Sequence, residues 1–333
     1  MEISIALCTY NGTKFLAEQL ESFLQQTHLP DELIVCDDRS TDQTVEILKS
    51  FARKAPFPVY IHVNENNLGS TKNFEKAISL CQGRVIFLSD QDDVWHKDKL
   101  RKFINEFASD ETVGLVFCDG ELVDENLNSL GVNAWKACSF DKRQQKWMES
   151  GNGLPRILKS NVVTGCMMAF RAEYKPLFLP IPNDVPTVIH DYWIALVIMA
   201  VTKVKLIPDK LVKYRQHSQQ QLGLSLENKE VLTIWERTSS KFNFQTHLSK
   251  LQGLKKCFNE QCKFYLEENK NNKPSILREI DTQIQHYQVR TQISKSKKLC
   301  IYMILRELLS LRYHHYSNGW RSAAKDLSLY FID

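Results

Sequence analysis

Ser89-Asp90-Gln91-Asp92-Asp93 follows the apolar run Arg84-Val85-Ile86-Phe87-Leu88, and this junction decides how the chain reads. A run this apolar suits a strand buried on both faces, the habit of parallel sheets covered by helices. Three carboxylates within the next four residues repel one another unless something positive sits among them. Oxygen ligands favour Mg²⁺ or Mn²⁺, commonly shared with phosphate oxygens. The competing reading is an exposed acidic turn before a helix that starts near Lys97.

Outward from that junction, short apolar runs alternate with amphipathic ones. Strands are expected at residues 3–8, 32–36, 59–63, 84–88, 113–119 and 164–171. Between the early ones lie helices at 13–26, with Phe15, Leu16, Leu20, Phe23 and Leu24 on one face, at 41–53 and at 70–80. This alternation predicts parallel βαβ units under a shared sheet, hence an α/β fold with a mostly parallel sheet and flanking helices. From 227 to 330 the pattern is helical, with Leu248, Leu251, Leu254 and Phe258 at helical spacing, and likewise Ile276, Ile280, Ile284 and Tyr287. A polar break at 269–274 separates two helices. The predicted organisation is a catalytic domain over 1–225 and a helical C-terminal extension over 226–333.

In open α/β sheets, ligands gather beyond the carboxyl ends of the strands. Thr9-Tyr10-Asn11-Gly12 follow the first strand, with Gly12 able to take positive φ. Asp37-Asp38-Arg39-Ser40-Thr41-Asp42 follow the second, and Asn64, Asn67 and Gly69 the third. Ser40 or Asp42 alone reads as a helix N-cap. Four polar loops converging at one sheet edge exceed what caps and turns require.

Thr9-Tyr10-Asn11-Gly12, Asp37-Asp38-Arg39-Ser40-Thr41-Asp42 and Asp90-Gln91-Asp92-Asp93-Val94-Trp95 together resemble the signature of family 2 glycosyltransferases, inverting enzymes with the GT-A (nucleotide-diphospho-sugar transferase) fold. The resemblance covers roughly residues 1–225, with the motifs in the expected order and spacing. Arg39 departs from the usual Asp-Asp-Gly-Ser-Thr-Asp pattern; if that position needs φ > 0, the arginine is strained there. The resemblance implies that Thr9, Tyr10 and Asn11 line a base and ribose pocket and that Asp38 contacts base or ribose. Asp90 would bind ribose or support the metal, and Asp92 would ligate Mn²⁺ or Mg²⁺ directly, with the rank of Asp93 open. Asn67 and Lys72, with Leu68, Gly69 and Asn73, would lie near the nucleotide.

Inverting transfer needs a base for the acceptor hydroxyl and positive charge for the departing diphosphate. The resemblance implies that Asp191 of His190-Asp191-Tyr192-Trp193 is the base, although a helix N-cap also explains it. That tetrapeptide is similar to rhamnosyltransferase-like members. Thr164-Gly165-Cys166-Met167 resembles the acceptor-side floor. Tyr214-Arg215-Gln216-His217 resembles a loop closing over the diphosphate, where Arg215 would offset phosphate charge and His217 would be a further metal ligand; an ordinary basic loop is the alternative. The implied reaction moves a sugar from a nucleoside-diphosphate donor to a hydroxyl of a bacterial cell-surface glycan or lipid-linked acceptor. Rhamnose from dTDP-rhamnose is preferred and a UDP-hexose comes next. A nucleotidyltransferase would normally show a Gly-rich loop with Lys or Arg after the first strand, which Thr9–Gly12 is not. A non-catalytic nucleotide or glycan binder would tolerate the loss of Asp191 and the metal carboxylates.

Composition is ordinary for a globular protein, at 43% hydrophobic and 25% charged. The net charge of +4 is uneven: residues 241–333 hold 16 Lys/Arg against 8 Asp/Glu, leaving −4 for 1–240. Lys295, Lys297, Lys298, Arg306, Arg312, His314, His315, Trp320, Arg321 and Lys325 surround the apolar run 299–305. Such a segment suits an anionic membrane surface or packing on protein, including a homo-oligomer partner. The run is apolar on all sides, which argues that some of it is buried. These basic residues are spread out and carry no nucleic-acid motif, so no nucleic acid is expected. Nine cysteines form no Cys-x-x-Cys pair; Cys8, Cys36 and Cys166 read as core residues. A reducing, cytoplasmic location follows, peripheral at the inner face of the membrane. The longest apolar runs, 194–201 and 299–305, are too short to span a bilayer.

Overall fold

A computed structural model describes residues 1–218, 220, 244–262, 275–293 and 300–332. The helical pattern expected for 227–243, the polar break at 269–274 and Lys295, Lys297 and Lys298 lie outside these residues. Nine strands form one sheet: β1 Ile3–Thr9, β2 Glu32–Asp37, β3 Val59–Val63, β4 Val85–Ser89, β5 Val94–Trp95, β6 Val113–Val123, β7 Ser129–Asn133, β8 Met168–Arg171 and β9 Lys203–Arg215. Their order is β3-β2-β1-β4-β8-β6-β9-β5, with β7 on β6. β1 to β4 pair in parallel. β8 runs antiparallel between β4 and β6, β9 is parallel to β6, and β5 is antiparallel to β9. The chain steps outward from β1 to β2 and β3, then returns to the other side of β1 as β4. Winding reverses between β1 and β4, so the loops leaving their carboxyl ends part and open a crevice.

Ile3, Ile5 and Leu7 of β1 join Leu33, Val35, Val85 and Phe87 in a core closed by Leu16, Leu20 and Phe23 of helix Leu16–Leu24 and by Phe103 and Phe107 of helix Lys99–Ser109. Each such buried side chain contributes roughly 1.5–3 kcal/mol. β5, β7 and β9 escape the sequence reading. β9 alternates Lys and Asp with apolar residues and contains Pro208, which counts against a strand interior. The sheet accommodates it by register shifts at Cys118/Asp119 and Asp119/Gly120 opposite that segment. The stretch expected as one strand over 164–171 divides into a 3₁₀ turn at Gly165–Met167 and the shorter β8.

The chain forms two compact units. One comprises Met1–Gly151, Val162–Asn183 and Ile189–Ser225; the other comprises Asn152–Asn161, Asp184–Val188 and Leu226–Asp333. The second unit, in its described residues, is mostly helical, with Leu251, Leu254, Phe258, Ile276, Ile280 and Tyr287 buried. Its interior is also polar. His286 Nδ1 lies 2.7 Å from Glu307 Oε2, and its Nε2 lies 2.9 Å from Ser317 Oγ. Arg290 donates twice to Asp326, at 2.7 and 2.8 Å, and Tyr313 donates to the same carboxylate. Burial holds the His286 pKa down, against the upward pull of Glu307 and Asp326. Each buried carboxylate is thereby compensated, as burial demands. Helix Cys300–Leu309 is buried in part, as expected of the run 299–305: Ile304 is buried while Ile301, Tyr302, Leu305 and Leu309 are exposed. Among the described residues, no helix is long and apolar enough to cross a membrane.

Candidate active site

A cavity of about 1050 Å³ opens where β1 and β4 part. Thr9, Tyr10, Asn11, Asp38, Asp90, Asp92, Asp191 and His217 all line it. Asn67, Lys72 and Arg215 do not.

The loops that carry these groups are tied to one another. The side chain of Gln91 grips the backbone of Tyr10, accepting from its N–H at 2.8 Å and donating to its carbonyl at 3.0 Å. Gly12 is required for space rather than for conformation: a Cβ there would lie 2.2 Å from Gln91 Oε1. The positive φ in this loop belongs to Asn11, at 47°. Asn11 Oδ1 accepts from Thr41 N–H at 2.9 Å, and Ser40 Oγ accepts from Asn11 N–H at 2.8 Å. Ser40 therefore links loops instead of capping a helix. Arg39 has φ of 67°, so the position does demand the left-handed region, at a cost of roughly 1–2 kcal/mol for a residue with a Cβ. Asp38 is held hard: Oδ1 accepts from Asn64 Nδ2 at 2.8 Å and Leu68 N–H at 2.7 Å, and Oδ2 from Gly69 N–H at 2.9 Å.

In the acidic loop the carboxylates diverge. Asp92 Oδ2 lies 2.8 Å from His217 Nε2 at the cavity wall. Asp93 points inward, fully buried; Oδ1 accepts from Arg215 N–H at 3.2 Å, while Oδ2 has no hydrogen-bond partner among the described residues. Burial, then the Asp92 charge, pushes the Asp93 carboxyl up to about 7. Burial also raises Asp90 well above the usual carboxylate range, with Asp93, Asp92 and Asp191 adding to it. Part of the answering positive charge is internal. Lys99, fully buried, donates to Cys166 O at 2.5 Å with its ammonium 3.3 Å from the centre of the Trp95 ring. Burial lowers its pKa to about 8, against the upward pull of Cys118, Cys166, Asp93 and Asp90. Ligand atoms of Asp90, Asp93 and Cys166 lie within 4.8 Å of one another. Burial drives the Cys166 thiol far up, which keeps it protonated and a poor metal ligand.

Asp191 sits in the first turn of helix His190–Val201. Its Oδ2 accepts from Gly165 N–H at 3.0 Å and its Oδ1 from Tyr192 N–H at 2.5 Å. A Cβ at Gly165 would lie 3.2 Å from His190 Nε2 and 3.5 Å from Asp191 Cβ, so the glycine lets this turn close on the helix. His190 stacks on Phe74 at 4.0 Å, its Nδ1 buried without a partner among the described residues.

Arg215 is placed elsewhere than expected. Its guanidinium is fully buried, donating to Asp92 O at 2.7 Å, to Glu125 O, and to Glu18 Oε2 at 2.5 Å, over the ring of Phe15. Lys72 binds Glu75 and Ile181 O, and Asn67 Nδ2 reaches Asp38 O. Gln91, Lys99 and Glu18 went unread in the sequence. A signal existed for Lys99: it shares the four-residue spacing of the buried Phe103 and Phe107.

A mixed sheet with a parallel β3-β2-β1-β4 half, an antiparallel β8, and an acidic cavity at the β4 end defines a protein of the GT-A fold. Over residues 4–175, just over half of its length, the chain matches the sequence profile described as glycosyl transferase family 2, and it belongs to that family. It is similar to the dTDP-rhamnosyl transferase RfbG of Shigella flexneri, 26% identical over 235 residues, covering 67% of this chain and 75% of RfbG. It spans 65%, 20% and 55% of the lengths of three other curated relatives. Among solved structures, S. aureus TarS 1–349 in complex with UDP-GlcNAc superposes with a TM-score of 0.53 at 18% identity, covering 98% of this chain and 92% of that one. The mannosyltransferase PcManGT of Pyrobaculum calidifontis, in complex with GDP-Man and Mn²⁺, has a TM-score of 0.50 at 16% identity, covering 99% and 86%.

Proposed function

We propose that this chain is an inverting glycosyltransferase that moves a sugar from a nucleoside-diphosphate donor to a hydroxyl of a glycan or lipid-linked glycan. One observation carries the reading: Asp38, Asp90, Asp92, His217 and Asp191 open into the same cavity. Residues 1–225 would be the catalytic part and 226–333 its extension. Thr9, Asn11 and the exposed ring of Tyr10 would receive the base, with Asp38 and Asp90 toward the ribose. Asn67 and Lys72 would act through the loop they brace.

The paired carboxylate and imidazole of Asp92 and His217 fit a divalent cation, and an imidazole in the set leans toward Mn²⁺ over Mg²⁺. When bound, the ion would supply positive charge for the leaving diphosphate. The Mn²⁺ and GDP-Man held by PcManGT in the same fold support this assignment. Arg215 would position the Asp92 main chain rather than touch phosphate. Asp191 would take the acceptor proton as the acceptor oxygen bonds to the anomeric carbon; the bond to diphosphate breaks and its electron pair leaves with the diphosphate. Rhamnose from dTDP-rhamnose is the first donor to try, given His190-Asp191-Tyr192-Trp193 and the similarity to RfbG, followed by UDP-hexoses. The setting in this reading is cytoplasmic, as the reaction draws on a nucleoside-diphosphate donor.

Melting curves with a panel of nucleotide sugars, with and without Mn²⁺, followed by turnover with the best donor, test the reading. A donor at 100 times its Kd stabilises by about 2.7 kcal/mol, a rise of about 5–10 °C for a domain of this size. Absence of any metal-dependent rise across the panel sinks it.

A further inference from the structure

Helix Cys300–Leu309 departs from the pattern of a surface helix. At about 100° per residue, Ile304, Glu307 and Leu308 share an inward arc, and Ile304 and Glu307 are buried. The opposite arc holds Ile301, Tyr302, Leu305 and Leu309, which are 50, 64, 52 and 85% exposed. Leu311 and Trp320 follow at 53 and 68%. Six of the fourteen large apolar side chains exposed among the described residues therefore fall within twenty residues of chain. Singly scattered exposed apolar residues need no explanation, but a grouped set marks an interaction site.

The charges around this arc are sorted by sign. Residues 300–332 contain two acids, Glu307 and Asp326. Both are buried, the first against His286 and Arg312, the second against Arg290 and Tyr313. Arg306 and Arg321 are exposed, and Arg312 and Lys325 are half-buried. Every formal charge that this segment presents to solvent is positive.

We propose that this face docks on an anionic lipid surface, with the apolar arc at the boundary of headgroups and acyl chains and with Arg306, Arg321 and Lys325 against lipid phosphates. A cationic rim around an exposed apolar arc is the arrangement of helices that lie in the membrane interface. A second copy of the chain is the poorer occupant, because it would set positive rim against positive rim. The inference concerns the helical unit alone and stands whether or not the transfer reading holds.

Flotation of the full chain with phosphatidylcholine vesicles, and with vesicles that also contain phosphatidylglycerol, tests it. Binding is expected on the anionic vesicles, falling at least about tenfold in a Leu305→Ser, Leu309→Ser double variant and on replacing Arg306, Arg321 and Lys325 with Gln. Circular dichroism checks the fold of each variant, and gel filtration reports self-association. Three results would overturn the proposal: no binding to anionic vesicles, undiminished binding by the leucine variant, or a wild-type dimer that this variant dissociates. Transfer to a soluble acceptor, measured in parallel, is expected to be unchanged in the leucine variant.

Discussion

Replacing Asp191 with Asn keeps the shape of the side chain and removes its basicity. Asp191 uses both oxygens on backbone donors, Gly165 N–H at 3.0 Å and Tyr192 N–H at 2.5 Å. Asparagine offers one oxygen and turns its NH₂ group toward the other donor, so one buried N–H loses its acceptor. That costs about 1–3 kcal/mol of stability, which a domain stable by roughly 5–15 kcal/mol survives. The chemical loss is larger. General-base catalysis contributes about 10²–10⁴ in rate, or roughly 3–5 kcal/mol of barrier. Donor binding has no reason to suffer, because Asp191 is one of the negative charges that raise Asp90; neutralising it relieves repulsion at the donor side. The assay is single-turnover transfer at saturating donor, with donor Kd from calorimetry. We expect the rate to fall about 10²–10⁴-fold with donor Kd unchanged within a small factor. A rate loss below about tenfold, or a donor affinity that falls in step with the rate, refutes the reasoning and leaves Asp191 as the anchor of the Gly165 turn.

Asp38→Ala strips the acceptor from Asn64 Nδ2, Leu68 N–H and Gly69 N–H; at about 1 kcal/mol each, urea unfolding should show a loss of roughly 3 kcal/mol together with weaker donor binding. An unchanged unfolding midpoint would mean that the loop is held by other contacts. Asp92→Ala and His217→Ala should each weaken Mn²⁺ binding, read by electron paramagnetic resonance, by at least about tenfold; full affinity in both would move the metal elsewhere. Burial lowers His190 from 6.5 to about 3, so the unfolded chain takes up a proton that the folded chain refuses. Its share of stability is complete above pH 6.5 and is lost as pH falls toward 3, by about 1.4 kcal/mol per unit. Melts at pH 7 and pH 5 should therefore differ less in His190→Gln than in the parent, by about 2 kcal/mol; equal pH sensitivity would show that His190 does not resist protonation.

The parallel half of the sheet was legible because β1, β2 and β4 are buried apolar runs ended by polar loops, a pattern that tertiary context does not override. The edge elements were not. β9 reads as a charged segment interrupted by Pro208, and its strand character comes from pairing with β6, a contact between residues ninety apart in the chain. The motif residues were legible as types but not as directions. Arg215 stood in a recognisable loop, yet the side chain turns inward to Glu18, Glu125 and Asp92. Three carboxylates call for positive charge, and Lys99, on the apolar stripe of its helix, supplies part of it from below, which the sequence reading did not foresee. Gly12 was read as able to take positive φ; Asn11 is the residue that takes it, and Gly12 leaves room for the Gln91 side chain. Apolarity on all sides of residues 299–305 was legible as composition; which side the protein covers depends on the buried network around His286, which no local pattern encodes.

The central claim is that this cavity transfers a sugar by one inverting displacement. Proton NMR of the product formed with Mn²⁺ from a nucleotide sugar of known anomeric configuration tests it most directly. The account predicts one nucleoside diphosphate released per glycoside formed, the glycosidic configuration opposite to that of the donor. A product of retained configuration, or release of pyrophosphate instead of a nucleoside diphosphate, would contradict it.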